Sequence, residues 1–204
     1  MIATLQTLSG WLPGWLAWPM TASAPTEDVE AAWMARVANG DEAALQLLFD
    51  RWKRPLLSFF YRSLSSHADA EDLTLEVFVR LHRTAGTYRP TARFSTFLFH
   101  IAHNLALNER RHRQRKPADA VPPELFDELS TDHAAERRLA ETEEILQRAL
   151  DRLPDRPRTA LLLLQQQQLD YPAAAAALRM SENALRVLVH RARQMLKTEM
   201  ENLQ

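Results

Sequence analysis

The chain has 204 residues, 46% of them hydrophobic and 8% aromatic, enough material for one ordinary domain or two small ones with real cores. Its 4 glycines stand against many Ala, Leu, Glu and Arg, which points to helix and away from sheet; the absence of cysteine excludes disulfides, thiolate catalysis and the usual zinc modules. The formal net charge of −1 looks wrong for a nucleic-acid binder, but "ERRHRQRK" (109–116) is strongly basic, whereas Pro117 to Glu136 hold six Asp or Glu and no Lys or Arg, and patches matter more than totals.

Residues 1–26 carry no charged side chain and include Trp11, Trp15 and Trp18. Gly10, Pro13 and Gly14 break the apolar run and no basic region precedes it, so the stretch reads as a loosely ordered extension, neither a secretion signal nor a membrane span. Glu27 to Ala38, with Val29, Trp33 and Val37 in step, is expected to be a short helix. Asn39-Gly40 is a turn signal and Asp41 a plausible N-cap. From Asp41 to about Arg62, Leu45, Leu48, Phe49, Trp52, Leu56 and Phe59 recur at helical spacing, with Pro55 expected to kink or interrupt the helix. "SSHADAEDL" opens a third helix, its acids where the helix dipole favours them. "TAGTYRPTARF" (84–94) reads as a loop, after which Ser95 caps a fourth helix running to roughly Arg115. "KPADAVPPELFDELSTDH" is proline-rich and acidic, which marks a linker. Helices resume near Ala134: one ends at Leu153-Pro154, a second covers about 157–168 with Pro157 in its first turn, and two more come from "LDYPAAAAALRMSENALRVLVHRAR" (169–193). The expected fold is all-α, with two small helical bundle domains, 27–116 and 137–204, joined by a flexible acidic linker, 117–136.

Three helix faces carry chemistry. On the fourth helix Leu98, Ile101, Ala102 and Leu105 form a core stripe, while His100, Asn104, Asn108, Arg111 and Arg115 form a second line suited to phosphates and base edges. The preceding loop adds Tyr88, Arg89, Arg93 and Phe94, an aromatic and basic mixture able to stack on unpaired bases. An ordinary solvated helix face with a basic end explains the same pattern as well. His100-x-x-His103 suggests metal, but two ligands without a third make a poor site. On the third helix Leu73, Val77 and Leu81 face inward, and Asp69, Asp72, Glu76, Arg80 and Arg83 make an outer row. Leu75 and Val79 beside that row fit a protein-docking surface, or else widen the core stripe. The last two helices follow the helix-turn-helix plan: Ser181 is the N-cap, Leu185, Val189, Ala192 and Leu196 are the buried face, and Arg186, His190, Arg191 and Arg193 lie on or near the other side.

Together these segments, over roughly 27–115 and 137–198, resemble a bacterial RNA polymerase sigma factor of the extracytoplasmic-function (ECF) type. "ADAEDLTLEVFVRLHR" (68–83) resembles the segment that docks on the clamp of core polymerase, and "YRPTARFSTFLFHIAHNLALNERRHRQRK" (88–116) the segment for the minus-ten promoter element. "LPDRPRTALLLL" and the opening of the helix-turn-helix, through Leu196, resemble the domain for the minus-thirty-five element. The resemblance assigns Asp69, Asp72, Leu75, Glu76 and Phe78 to polymerase docking. It assigns Arg89, Arg93, Phe94, Asn104, Asn108 and Arg111 to the melting strand, and the residue pattern of the fourth helix adds His100 to this DNA-binding set. Ser181, Glu182, Asn183, Arg186, His190 and Arg193 fall to the upstream duplex. The implied partners are core RNA polymerase, promoter DNA and an inhibitory anti-sigma factor, with no cofactor and no small-molecule substrate. The chain departs from the family pattern where Leu75 replaces Gln, Arg179 replaces the turn Gly, Leu188 replaces a basic residue, and His100 and His103 replace Arg.

The expected function is promoter recognition, DNA opening and transcription initiation in the cytoplasm. The alternatives are a sigma-like interaction module that no longer initiates, and a stand-alone helix-turn-helix regulator using only 137–204. No nucleophile with its base, no phosphate-cradling glycine loop and no convincing metal set argues for an enzyme.

Overall fold

A computed structural model of the chain describes residues 27–115, 133–166 and 169–203; the tryptophan-rich extension and most of the expected acidic linker lie outside them. Eight α-helices and no strand are found among the described residues. The first bundle comprises α1 (Glu27–Ala38), α2 (Glu42–Leu64), α3 (His67–Thr84) and α4 (Phe94–Arg115), and the second α5 (His133–Arg152), α6 (Asp155–Leu161), α7 (Tyr171–Ala177) and α8 (Glu182–Glu201).

Local chemistry sets the helix starts. Asp41 accepts the Ala44 N–H at 3.1 Å, and Ser66 accepts the Asp69 N–H at 3.3 Å, so each supplies an acceptor for an otherwise unpaired first-turn donor. Gly40, at φ 82, makes the turn between α1 and α2. The α1 helix is held by the buried Glu30 carboxylate, which accepts from Arg51 Nε at 2.6 Å and from Trp52 Nε1 at 2.9 Å. Below this, Leu48, Leu56, Phe59, Phe60, Leu81 and Phe99 fill the core, and burial of each such side chain contributes about 1.5–3 kcal/mol. Edge-on rings interlock the helices: Phe59 lies 5.5 Å from Phe99 and Trp52 lies 5.9 Å from Phe99.

Two expectations for this bundle are corrected. Pro55 does not interrupt α2, which runs unbroken from Glu42 to Leu64. The proline removes one backbone donor only, and fully buried Leu48, Leu56 and Phe59 on either side hold both halves as helix. The start of α4 lies at Phe94 rather than after a Ser95 cap, with the Thr96 and Phe97 N–H groups reaching the Arg93 carbonyl at 3.0 and 3.3 Å. Burial of Phe94 beneath Trp52 and Tyr88 draws the first turn inward.

In the second bundle Leu146, Leu150 and Leu153 of the α5 segment share a core with Ala160, Leu161, Leu185, Val189 and Ala192. The expected helix over about 157–168 is shorter: α6 gives way to a wider π-type turn at Leu162–Gln166, and the Leu169 N–H closes back on Leu163 O at 3.0 Å. Consecutive leucines at 161, 162 and 163 are all buried, which one face of a regular helix could not achieve. Pro157 does sit in the first turn of α6.

The helix-turn-helix is formed by α7 and α8. Asp170 caps α7 through the Ala173 N–H at 2.8 Å, and Ser181 caps α8 through the Ala184 N–H at 3.3 Å. Between them Arg179 takes φ 51, its N–H bonding Ala176 O at 3.1 Å while Met180 N–H bonds Ala175 O at 3.0 Å. This pairing is a Schellman motif whose left-handed position is filled by arginine instead of glycine. A left-handed non-glycine residue costs roughly 1–2 kcal/mol, and glycine returns part of that as unfolded-state entropy. Arg179→Gly is therefore expected to raise stability by about 0.5–1 kcal/mol. Urea denaturation measures it, and an unchanged or lowered midpoint would show that the turn is not strained.

Candidate nucleic-acid interface

On α8, Arg186 is pre-positioned. It pairs with Glu182 at 2.5 Å, one helical turn earlier, and its guanidinium lies 4.5 Å from the centre of the Tyr171 ring on α7. Asn183, His190, Arg191 and Arg193 are exposed on the same helix, and Gln194 lies 3.2 Å from the His190 ring. Leu188 is half-buried against the core, so the residue that departs from the family pattern supports the helix and leaves Arg186 and His190 outward.

The second stripe of α4 is divided. Asn108, Arg111 and Arg115 are exposed; together with Arg80, Leu73 and Leu105 they line a groove of about 460 Å³ between α3 and α4. His100 and Asn104 are engaged with the other bundle. His100 Nδ1 lies 2.7 Å from Ala177 O at the end of α7, which can only accept, so the proton sits on Nδ1 and donates to that carbonyl. The remaining Nε2 then accepts from Asn104 Nδ2 at 3.1 Å. In the loop before α4, Arg93 pairs with Asp170 at 3.3 Å, and Arg89 Nη1 donates to Tyr88 O at 3.0 Å. Phe94 is 2% exposed and lies in the core, which removes it from the surface expected to stack on bases.

On α3 the two apolar residues of the expected docking face point outward, Leu75 at 54% and Val79 at 41% exposure. They do not widen the core stripe. Asp72 beside them is exposed, Glu76 pairs with Arg80 at 2.8 Å, and Asp69 pairs with Arg113 of α4. Phe78 is 6% exposed and packs 4.9 Å from Phe49, so it supports this face from beneath and is not part of it.

Several polar residues missed at the sequence level join the two bundles. Arg158 of α6 is 1% exposed and donates Nε to Leu150 O at 2.5 Å, and Nη2 to Asp151 O and Leu153 O at 2.6 and 2.7 Å. Its Nη1 crosses to Ser63 O of α2 at 2.9 Å. In return Arg62 of α2 reaches Gln147 Oε1 at 3.0 Å and the Glu143 carboxylate, and burial pulls its guanidinium down to about 10, still charged at neutral pH. Arg110 pairs with Asp155 at 2.7 Å. One signal was available: Arg62 and Arg158 each fall in phase with buried apolar neighbours, where a solvated arginine would not.

Residues 48–116 match the family model for Sigma-70 region 2, and residues 143–196 that for Sigma-70 region 4, together well over half of the chain. The chain is 28% identical over 187 residues to the RNA polymerase sigma-H factor of Pseudomonas aeruginosa, covering 87% of this chain and 97% of that protein. It is 32% identical over 167 residues to the ECF sigma factor SigE of Mycolicibacterium smegmatis, covering 78% of this chain and 64% of that one. The fold is like that of CnrH, solved in complex with the cytosolic domain of CnrY, at 21% identity with a TM-score of 0.65, covering 85% of this chain and 98% of that one. It is also like that of RpoE of Bartonella quintana, solved with the anti-sigma factor NepR, at 21% identity with a TM-score of 0.60, covering 76% and 96%. This chain belongs to the RNA polymerase sigma factors of the ECF type. As a sigma factor it directs transcription initiation, with core RNA polymerase and promoter DNA as its partners. No helix among the described residues is long and apolar enough to cross a membrane, and no group of three or more His, Asp or Glu able to hold a metal occurs among them.

His103, the second histidine of α4, is buried beside Ser63, Arg110, Asp155 and Arg158. Its Nδ1 has no hydrogen-bond partner among the described residues. Burial first, then the neighbouring His100 and Arg156, push its pKa down from 6.5 to about 4 against the opposing pull of Asp155. Between those values the unfolded chain takes up a proton that the folded chain refuses, so this contribution to stability is complete above pH 6.5 and is lost as pH falls. Relative to His103→Leu, the wild-type protein is expected to lose about 2 kcal/mol between pH 7.5 and pH 5. Urea titrations of both proteins at each pH measure this, and a constant difference would remove His103 as the source.

Proposed function

We propose that this sigma factor divides its work among three faces. The α3 face, built on Asp72, Leu75 and Glu76 with Asp69 at its start, holds core polymerase. The α8 face, from Ser181 through Glu182, Asn183, Arg186, His190 and Arg193, reads the upstream duplex. The region 2 stripe of His100, Asn104, Asn108 and Arg111, with Arg89 and Arg93 of the preceding loop, captures the melting strand. Phe78 and Phe94 act from the core, fixing the helices that carry these faces. The domains are taken as 27–116 and 137–204, and the site of action as the cytoplasm, where the chain's role is binding without chemistry of its own.

The observation that carries this reading is the outward Leu75–Val79 pair set in an acidic row on the region 2 bundle, while a cationic, N-capped α8 projects from the region 4 bundle. Acidic side chains repel phosphate and suit a protein partner, and an apolar pair at the centre of such a face supplies the area a stable contact needs. A second arrangement, regulation by an anti-sigma factor, is supported by the likeness to CnrH and RpoE, each solved with a protein partner.

Leu75→Glu is expected to weaken binding to core polymerase at least tenfold, since a central interface residue contributes about 1–2 kcal/mol or more. Fluorescence anisotropy with purified core enzyme measures this; unchanged affinity would move the docking face elsewhere. Asn104→Ala should relax sequence preference on a promoter library transcribed by the reconstituted holoenzyme. Arg111→Ala should instead weaken all promoters alike and lower the salt slope by about 1. Equal effects of both substitutions on matched and mismatched promoters would overturn the assignment.

A further inference from the structure

One exposed apolar side chain lies in the middle of a cationic helix face. Val187 of α8 is 53% exposed, and Asn183, Ala184, Arg186, His190 and Arg191 around it are exposed as well. A helix turns about 100° per residue, which sets Val187 roughly 140–160° around α8 from the buried Leu185, Val189 and Ala192. It therefore points directly away from the core. Arg186 stands only about 60–120° from the same three residues, on the flank of the helix, and Arg193 shares that flank. There Glu182 holds Arg186 at 2.5 Å, and the centre of the Tyr171 ring lies 4.5 Å from its guanidinium.

We infer that Val187 is a specificity-determining residue of α8: with Ala184 beside it, it reads the 5-methyl group of a thymine in the upstream promoter duplex. The inference rests on the assignment of α8 to that duplex. A helix about 10–12 Å across fills the roughly 12 Å major groove, so side chains opposite its own core reach base edges and those on its flanks meet phosphates. The side chain that goes deepest here cannot hydrogen-bond. Of the groups that the four base pairs present in that groove, only the thymine methyl is apolar. Branching at Cβ holds a helical valine in essentially one rotamer, so its two methyl groups have little freedom to lose on contact. The methyl side chain of Ala184, three residues earlier, lets the helix come close to the bases. A merely solvated position would be better filled by Arg, Lys, Gln or Glu, all of higher helix propensity than valine. The exposed Arg186, Arg191 and Arg193 around the apolar spot suit the phosphates of a duplex rather than an apolar protein surface, which makes DNA the occupant.

The probe is the strongest promoter that the reconstituted holoenzyme recovers from a random library, with the thymines of its upstream element either kept or replaced by deoxyuridine. Deoxyuridine pairs identically and lacks only the methyl. Competition between the two duplexes for wild-type holoenzyme should favour thymine about fourfold, the worth of one buried methyl group. Val187→Ala should bring that ratio close to one by weakening the thymine duplex alone, with the deoxyuridine duplex bound as before. Because the side chain is half exposed and alanine favours helix, the substitution should leave the melting temperature of the protein unchanged. A wild-type ratio of one, a thymine preference that survives Val187→Ala, or a recovered upstream element with no A·T pair overturns the inference. Scrambling the upstream element distinguishes this from the reading on which it rests. Binding that survives scrambling sinks the assignment of α8 and the methyl contact with it; binding that needs the element but ignores the methyl sinks the methyl contact alone.

Discussion

The C-terminus of α2 is the point on which the arrangement depends. A helix leaves its last four carbonyls without internal donors, and their partial negative charge adds to that of the helix dipole. Here each has a donor. The Tyr61 carbonyl accepts the N–H of Ser65, which takes a left-handed conformation at φ 55 to close the turn, at 2.8 Å. Arg62 O accepts from Gln147, Ser63 O from Arg110 and Arg158, and Leu64 O from Arg113 at 2.8 Å. Three arginines and one glutamine, drawn from α4, α5 and α6, therefore converge on a single helix end.

That convergence fixes more than a cap. Arg113 also pairs with Asp69, so the end of α4 and the start of α3 are set relative to each other at the root of the docking face. Arg158 also binds the carbonyls of Leu150, Asp151 and Leu153, so the turn from α5 to α6 is organised by the same side chain that reaches into region 2. A buried guanidinium is tolerable because all of these donations are charge-assisted and go to backbone carbonyls at the ends of α2 and α5. Loss of any one member would leave a desolvated partner behind, which makes the cluster act as a unit.

The elements and their caps were legible because they depend on neighbours in sequence. Asp41, Ser66 and Ser181 each cap at three-residue spacing, and α1 occupies the expected span. The Phe78 placement was also legible in principle: Thr74, Val77, Phe78 and Leu81 share one helical face, and all four are buried. The docking-segment resemblance places Phe78 on the surface, against that periodicity. Phe94 lies four residues before Leu98 and continues the core stripe backward, a phase hidden by the expected Ser95 cap, and Trp52, 42 residues earlier, completes its burial. The uninterrupted α2 and the π-type turn after α6 likewise follow from tertiary packing that propensity does not contain. The polar joint between the bundles was least accessible. Arg62 to Gln147 and Arg158 to Ser63 span 85 and 95 residues, and the patterns on either side give no sign of the pairing beyond an arginine on an apolar face.

The alanine run of α7 has a reading that only the assembled structure supplies. Ala173, Ala174, Ala175 and Ala177 are all buried, whereas the first helix of a hairpin packed on its partner alone would bury one side. The remaining side is taken up by α4, against which α7 packs. Larger side chains there would hold the two helices further apart, whereas methyl side chains permit close backbone approach and bring the Ala177 carbonyl to His100. A helix packed on two sides is served by five consecutive alanines, and the polar contacts around it fix where it sits.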